Sequence, residues 1–299
     1  MYNMKDYYIY YRYYSARWFF SYVFIMIHYQ MHHSREYELK AQVLLTPAEG
    51  KRLIAKAISN MEPVQMAYEE GILIIATSTS SAYVAEEIMG KKIPNKGMFT
   101  AGVITKDGLH VTKSEGRYKH YLFEKGELVE LDTPDLVPYL SKMGPSDVFI
   151  KGANAIDPFG AAGILLAGVG GGTIGTAWGH IVRNGIQLII PAGLEKLVPV
   201  SLTDYVTQMG TEVIDVAQGW KCGMLVVNGQ VITEMEAMKF LFGVEVFPIA
   251  GGGIDGAEGC KIFLIEGPKD NIDLALEILE KIKGEPKLTT DVMDVPKGR

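Results

Sequence analysis

The chain has 299 residues, 48% apolar and 21% charged, with a net charge of −6, which suits one large domain or two moderate ones around a buried core. The acidic balance and the lack of any Lys/Arg cluster interleaved with aromatics exclude a nucleic-acid footprint. Cys222 and Cys260 are too few for a disulfide framework and too far apart for a metal knuckle, so a reducing cytoplasm is expected and no metal site.

Residues 1–36 form a leader crowded with Tyr, Phe, Met and His. Its apolar stretch Trp18–Ile27 is ten residues long, short of the roughly 20 that span a bilayer, and it lacks the small-residue pattern of a cleaved signal peptide. The expectation is a non-native or disordered extension, with translation beginning near Met31 and no membrane partner. Further on, Thr46-Pro47-Ala48-Glu49 combines an N-cap, a proline at the first helical position and a glutamate three residues after the cap, so a helix is predicted through Leu53–Met61. The run after Gly71 reads as a buried strand passing into the hydroxyls Thr77 to Ser81, followed by a helix ending at Gly90.

Between about 91 and 140, Asp107-Gly108 and Lys125-Gly126 punctuate β-rich runs and predict hairpins inserted at the edge of the main sheet. The α/β rhythm then returns: strands near 147–152, 162–168 and 187–193, a helix from Thr173 to Arg183 and a helix over 201–209, the alternation that builds a parallel sheet under helices. After Gly219 a hairpin around Asn228-Gly229, a capping box from Thr233 to Glu236, two strands and an amphipathic helix with Ile272, Leu276, Leu279 and Ile282 on one face predict a small α+β lobe. The tail from Lys287 reads as loose. The expected organisation is therefore the leader, an α/β ligand-binding domain over 37–218 with a Rossmann-like, mostly parallel sheet, and the α+β lobe over 219–299.

Three loops stand out as sites. Gly168, Gly170, Gly171, Gly172 and Gly175 fall within eight residues, and glycines cluster where a backbone turns with positive φ or approaches a ligand closely. Gly170 to Gly175 satisfies GxGxxG, with Thr173 inside it and Glu195 about twenty residues on, where a ribose-binding acid would stand in a dinucleotide site. Equally, loop amides and a helix N-terminus could hold a phosphate or a carboxylate without any nucleotide, or the glycines could simply pack a tight turn. Ser78, Thr79, Ser80 and Ser81, at a strand-to-helix junction, can cap the helix and bind oxygens of a ligand. Lys151, Gly152, Asn154 and Asp157 share one loop, with Lys151 suited to pair an anion and Asp157 suited to general base work or to an Asx-turn before Pro158. His180 reads as a packing residue, Gly251–Gly259 as a lid or a mobile connection, and the cysteines as unactivated.

The stretches VFIKGANAIDPFGAAGILLAGVGGGTIG and HIVRNGIQLIIPAGLEKLVP, with TSTSSAYVAEEI upstream, resemble the superfamily of ribose-5-phosphate isomerase, glucosamine-6-phosphate deaminase and CoA transferases, nearest to its lactate-utilisation-type domains. The resemblance covers about residues 45–215. It implies a Rossmann-like sheet and a small anionic ligand placed by Ser78–Ser81, Lys151–Asp157 and Gly170–Gly175. Neither the Gly152–Asp157 loop nor the Gly170–Gly175 loop carries a glutamate, so the carboxylate of the isomerases and the nucleophile of the transferases have no counterpart there.

The reading is a cytoplasmic α/β protein that binds a small phosphorylated or carboxylated metabolite, with isomerase or transferase chemistry centred on Asp157 and Lys151. A non-catalytic metabolite-sensing module and an NAD(P)-dependent oxidoreductase are the alternatives, no cofactor is named, and a homo-oligomer is compatible with the sequence.

Overall fold

A computed structural model describes residues 38–294, and the aromatic leader lies outside them. The chain runs through β1 (Glu38–Leu45), α1 (Pro47–Ser59), α2 (Glu62–Glu69), β2 (Ile72–Ile75), α3 (Thr79–Met89), β3 (Gly102–Thr105), β4 (Gly108–Val111), β5 (His120–Glu124), β6 (Glu127–Leu131) and α4 (Val137–Leu140). It continues with β7 (Val148–Ile150), β8 (Ala155–Ile156), β9 (Ala162–Leu166), α5 (Gly172–Asn184), β10 (Gln187–Pro191), β11 (Gly223–Val227), β12 (Gln230–Ile232), α6 (Glu234–Phe242), β13 (Glu245–Gly252), β14 (Cys260–Pro268) and α7 (Lys269–Ile282).

The core is a mixed six-stranded sheet in the order β12-β10-β7-β2-β5-β6. The first four strands run parallel, and the β5–β6 hairpin adds β5, antiparallel to β2, and β6, antiparallel to β5, at the edge. β2 and β7 are buried throughout, as near-continuous Ile/Leu/Val/Phe runs must be when helices cover both faces of parallel strands. Around the sheet, α1 packs on α3, α6 and β10, while α2 packs on β2, β5 and β7. The predicted caps form: Thr46 and Glu49 close a complete capping box, Ser78 caps α3, and Thr233 with Glu236 caps α6. α1 also carries Arg52 into a buried ion cluster with Glu86, Glu87 and Glu285, where Nη1 meets Glu87 at 2.8 Å and Nε meets Glu285 at 2.9 Å.

Tertiary pairing overrides several local expectations. The strand at 162–168 forms as β9 but leaves the main sheet, pairing antiparallel with β8 and β11. Asn228-Gly229 does not close a hairpin: Val227 pairs with Ala162, whereas Gln230 pairs with Ile189 of β10. Gly229 is needed for a different reason, since a Cβ there would stand 2.8 Å from the Leu188 carbonyl oxygen. The segment after 219 thus contributes strands to three sheets, and β14 pairs along its length with β1.

The helix expected over 201–209 reduces to two 3-10 turns, Leu202–Asp204 and Val206–Gln208. Thr203, Val206 and Thr207 are weak helix formers, and Gly210 follows. On α7, Ala275 rather than Leu276 completes the buried stripe, and Leu276 is 41% exposed.

The tail is not loose as far as residue 294. The Met293 N–H donates to Val111 O at 2.8 Å, the Lys113 N–H donates to Asp291 O at 3.0 Å, and Thr112 bridges to Val292. Glu285 anchors the start of this strap on Arg52 and on Lys96 Nζ, the latter at 3.1 Å. Gly97 lies directly beneath the Thr289 carbonyl, where any Cβ would overlap.

Candidate functional site

Parallel strands send their carboxyl-end loops to one rim, and here the loops after β2, β7 and β10 line a single cleft of about 720 Å³. The first supplies Thr77, Ser78 and Thr79, the second Lys151, Gly152 and Asn154, and the third Glu195 and Lys196. The glycine loop closes another side with Gly168, Gly171, Gly172 and Thr173. Gly152 is required by contact, because a Cβ there would run into the Ser78 side chain, so the exit of β7 lies against the first turn of α3.

The polar end of the cleft is cationic. Lys51 reaches in from α1 and pairs its Nζ with Glu195 Oε1 at 2.5 Å. Lys151 Nζ donates to the Thr77 carbonyl at 3.1 Å, and Lys196 Nζ donates to Ser80 Oγ at 3.3 Å, so the hydrogen bonds of both go to neutral oxygens. Three lysines thus gather at the one carboxylate in the cleft lining, Glu195, in a chain of net charge −6, while Arg117 lines the cleft elsewhere and bonds Thr112. Burial pulls Lys151 down to about 8, helped by the charge of Lys196, and burial likewise brings Lys196 to about 8 against the opposing pull of Glu195. Burial disfavours the Glu195 carboxylate too, but Lys51 and Lys196 outweigh it and hold the group below its usual range. Its Oε2 is buried without a hydrogen-bond partner. Behind it stands Glu234, pushed to about 7 by burial and by Glu195, with Oε2 accepting the Leu194 N–H at 2.8 Å.

A neutral network flanks the lysines. The buried His120 accepts the Thr77 N–H at its Nδ1 (3.0 Å), and its Nε2 lies 2.9 Å from Thr133 Oγ1 and 3.2 Å from Thr173 Oγ1. An acceptor Nδ1 requires the Nε2–H tautomer, and burial, reinforced by the charge of Lys151, lowers the imidazole to about 4. His120 therefore ties the β2 exit, the β6 exit and the start of α5 together at neutral pH.

Several expected site residues have other work. Asp157 is 6% exposed and turned into its own loop, accepting N–H groups of Phe159 and Ala161 at 2.9 Å and of Leu202 at 3.1 Å. The Asx-turn reading is the one the geometry fits, and Asp157 does not line the cleft. Asn154 lines it, but its Oδ1 accepts the Leu165 N–H at 3.0 Å. Ser78 and Ser81 bond each other, Oγ to Oγ at 2.7 Å, and Ser81 is fully buried, while Ser80 touches the site only through Lys196. Gly170 and Gly175 pack on one another, a Cβ at 175 overlapping the Gly170 carbonyl, and neither lines the cleft.

The dinucleotide arrangement needs a glycine loop fed by a parallel strand, whereas β9 pairs only antiparallel and Glu195 is engaged by Lys51. His180 is half-buried outside the cleft, and no residue of 253–259 lines it. Cys222 does line it, with burial raising its thiol. Among the described residues no group of three or more His, Cys, Asp or Glu could hold a metal ion, and no helix is long and apolar enough to cross a membrane.

Lys51, Lys196, His120, Thr133 and Glu234 were missed in the sequence. Lys196 stands next to Glu195 and could have been found with it. Lys51 and His120 enter from α1 and β5, elements that local pattern does not place beside the cleft. Comparison with protein-family models and with curated proteins returns no match.

Proposed function

We propose that this protein binds a small phosphorylated or carboxylated metabolite in the cleft. The observation that carries the reading is the charge reversal: an acidic chain gathers Lys51, Lys151 and Lys196 around one carboxylate, with Arg117 also in the cleft lining. Lys151 and Lys196 donate there only to neutral oxygens. An anion would restore charge balance and favour the ammonium forms. The amides and the Thr173 hydroxyl at the start of α5 supply further donors.

The proposal includes the Rossmann-like parallel character and the resemblance to the sugar-phosphate isomerase and CoA-transferase superfamily, supported by the meeting of the three strand-end loops with the glycine loop. If a proton moves in this cleft, the placement of Glu195 with its unpartnered Oε2 favours that residue over Asp157, with Lys151 and Lys196 as neighbouring amines. The inward turn of Asp157 favours the second reading, a sensing module that binds without turnover.

The test is a thermal-shift series on the full chain with inorganic phosphate, sugar phosphates, small carboxylates and nucleotides, repeated with Lys151→Met and Lys196→Met. A ligand at 100 times its Kd stabilises by about 2.7 kcal/mol, and the lysine variants should lose most of that increment. No shift with any anion, or equal shifts in parent and variants, overturns the reading. Consumption of a bound ligand separates enzyme from sensor.

A further inference from the structure

Away from its lysines the cleft changes character. Val103 of β3, Leu166 of β9 and Trp220 line the other end. β3 and β4 form a two-stranded sheet of their own, so without support this hairpin could not keep an apolar wall in place. Support comes from two sides: the Leu109 N–H donates to Gln218 O at 3.0 Å and the Trp220 N–H to Leu109 O at 2.9 Å, while the 285–294 strap holds Val111 to Lys113. Val103, which pairs with His110 on one face of the hairpin, is 9% exposed, and Ile104, which pairs with Leu109 on the opposite face, is 66% exposed. An apolar wall facing fixed charges across one cavity is the usual build of a ligand site.

His110 provides a second, independent observation. It lies on β4 between Leu109 and Val111 and lines the same cleft, and both of its ring nitrogens are buried without a hydrogen-bond partner. Buried polar atoms are normally paired, and an imidazole that loses water at both nitrogens without replacing it is a costly arrangement to leave unmet. Neither the lysine end nor the His120 network accounts for it. A cleft of about 720 Å³ is also far larger than an inorganic anion needs, and falls within the range of sites that enclose a drug-sized ligand.

We infer that the ligand is bipartite: a phosphate or carboxylate seated among Lys51, Lys151 and Lys196, joined to an apolar body of about aromatic-ring size that lies under the β3–β4 hairpin and presents a hydroxyl or carbonyl to His110. This inference rests on the anion reading and narrows it from small anions in general to amphipathic ones.

Isothermal titration of the full chain with inorganic phosphate, phenyl phosphate and the three hydroxyphenyl phosphates tests it. Phenyl phosphate should bind at least about tenfold more tightly than inorganic phosphate, the order expected for burying a ring's apolar surface. One hydroxylated isomer should bind more tightly again. His110→Phe, which keeps the ring and removes its nitrogens, should erase that last increment while leaving phosphate and phenyl phosphate unchanged; Val103→Ser should weaken phenyl phosphate but not inorganic phosphate.

Phosphate binding with no gain from the phenyl ring, or a hydroxyl increment that survives in His110→Phe, overturns the bipartite ligand and leaves the anion site standing. If neither phosphate nor any aryl phosphate binds, both readings fall.

Discussion

Replacing Asp157 by alanine should destabilise the fold rather than silence a reaction. Its carboxylate accepts three backbone N–H groups, and the bonds from Ala161 and Leu202 are buried. Each buried donor left without an acceptor costs about 1–3 kcal/mol, so the two together give about 2–6 kcal/mol. For a domain of this size that lowers Tm by roughly 5–20 °C. Asp157→Asn keeps one acceptor oxygen and places an NH₂ where the other stood, orphaning a single donor, so about half the loss is expected.

Burial opposes the Asp157 charge, but the N–H groups of Leu202, Ala161 and Phe159 prevail and hold the carboxyl below its ordinary value. A lowered folded value means that its contribution is complete above the unfolded value near 4. It is lost as the pH falls through the folded value, so the gap between parent and Asp157→Asn should narrow in acid. Urea and thermal unfolding followed by circular dichroism, from pH 7 down to pH 3, read both effects. A Tm for Asp157→Ala within about 2 °C of the parent, a margin worth under about 1 kcal/mol, combined with loss of the phosphate-induced shift, would refute the reasoning and return Asp157 to the site.

Lys151 titrates near 8 against an ordinary 10.5, so between those values the unfolded chain holds a proton that the native chain has released. Native stability should therefore rise with pH across that window relative to Lys151→Met; urea titrations from pH 7 to 10 measure it, and a constant gap contradicts the burial argument. Phosphate affinity should fall over the same range as the ammonium is lost, and a flat titration profile would disconnect Lys151 from the anion. Glu234 is raised from 4.5 to about 7, which is the opposite case: the native state keeps a proton that the unfolded state sheds, and stability falls as pH climbs from 4.5 through 7. Glu234→Gln, which can still accept the Leu194 N–H, should flatten that slope, and an unchanged slope would assign it to another group. Deleting residues 287–299 should expose the hairpin, on the order of tenfold faster cleavage between 100 and 113 in limited proteolysis, because local opening sets the cutting rate; equal rates would mean that Gln218 and Trp220 hold β3–β4 without the strap.

Much of this protein was legible in the chain because the controlling physics is local. Capping boxes at Thr46 and Thr233, the Ser78 cap, the left-handed glycine after α3 and the Asp107-Gly108 and Lys125-Gly126 turns each depend on residues a few positions apart. So does the association of hydroxyl, lysine and glycine loops with strand ends, since buried apolar runs must stop where the backbone leaves the sheet.

Tertiary structure alone decided the rest. An apolar run such as β9 or a turn such as Asn228-Gly229 states that a strand or a reversal is present, but the partner is set by which long-range contacts bury the most surface, and those placed β11 with β9 and β12 with β10. The chemistry of the cleft follows the same division. Asp157 has the residue type of a base, yet two further turns of chain, at 159–161 and 202, supply the N–H groups that occupy it. Lys51, His120 and His110 look unremarkable in sequence because a cation's or an imidazole's role depends on what surrounds it, and their surroundings come from elements scattered over more than a hundred residues. Local pattern determines where the chain turns and what it buries; only the fold determines which charges meet.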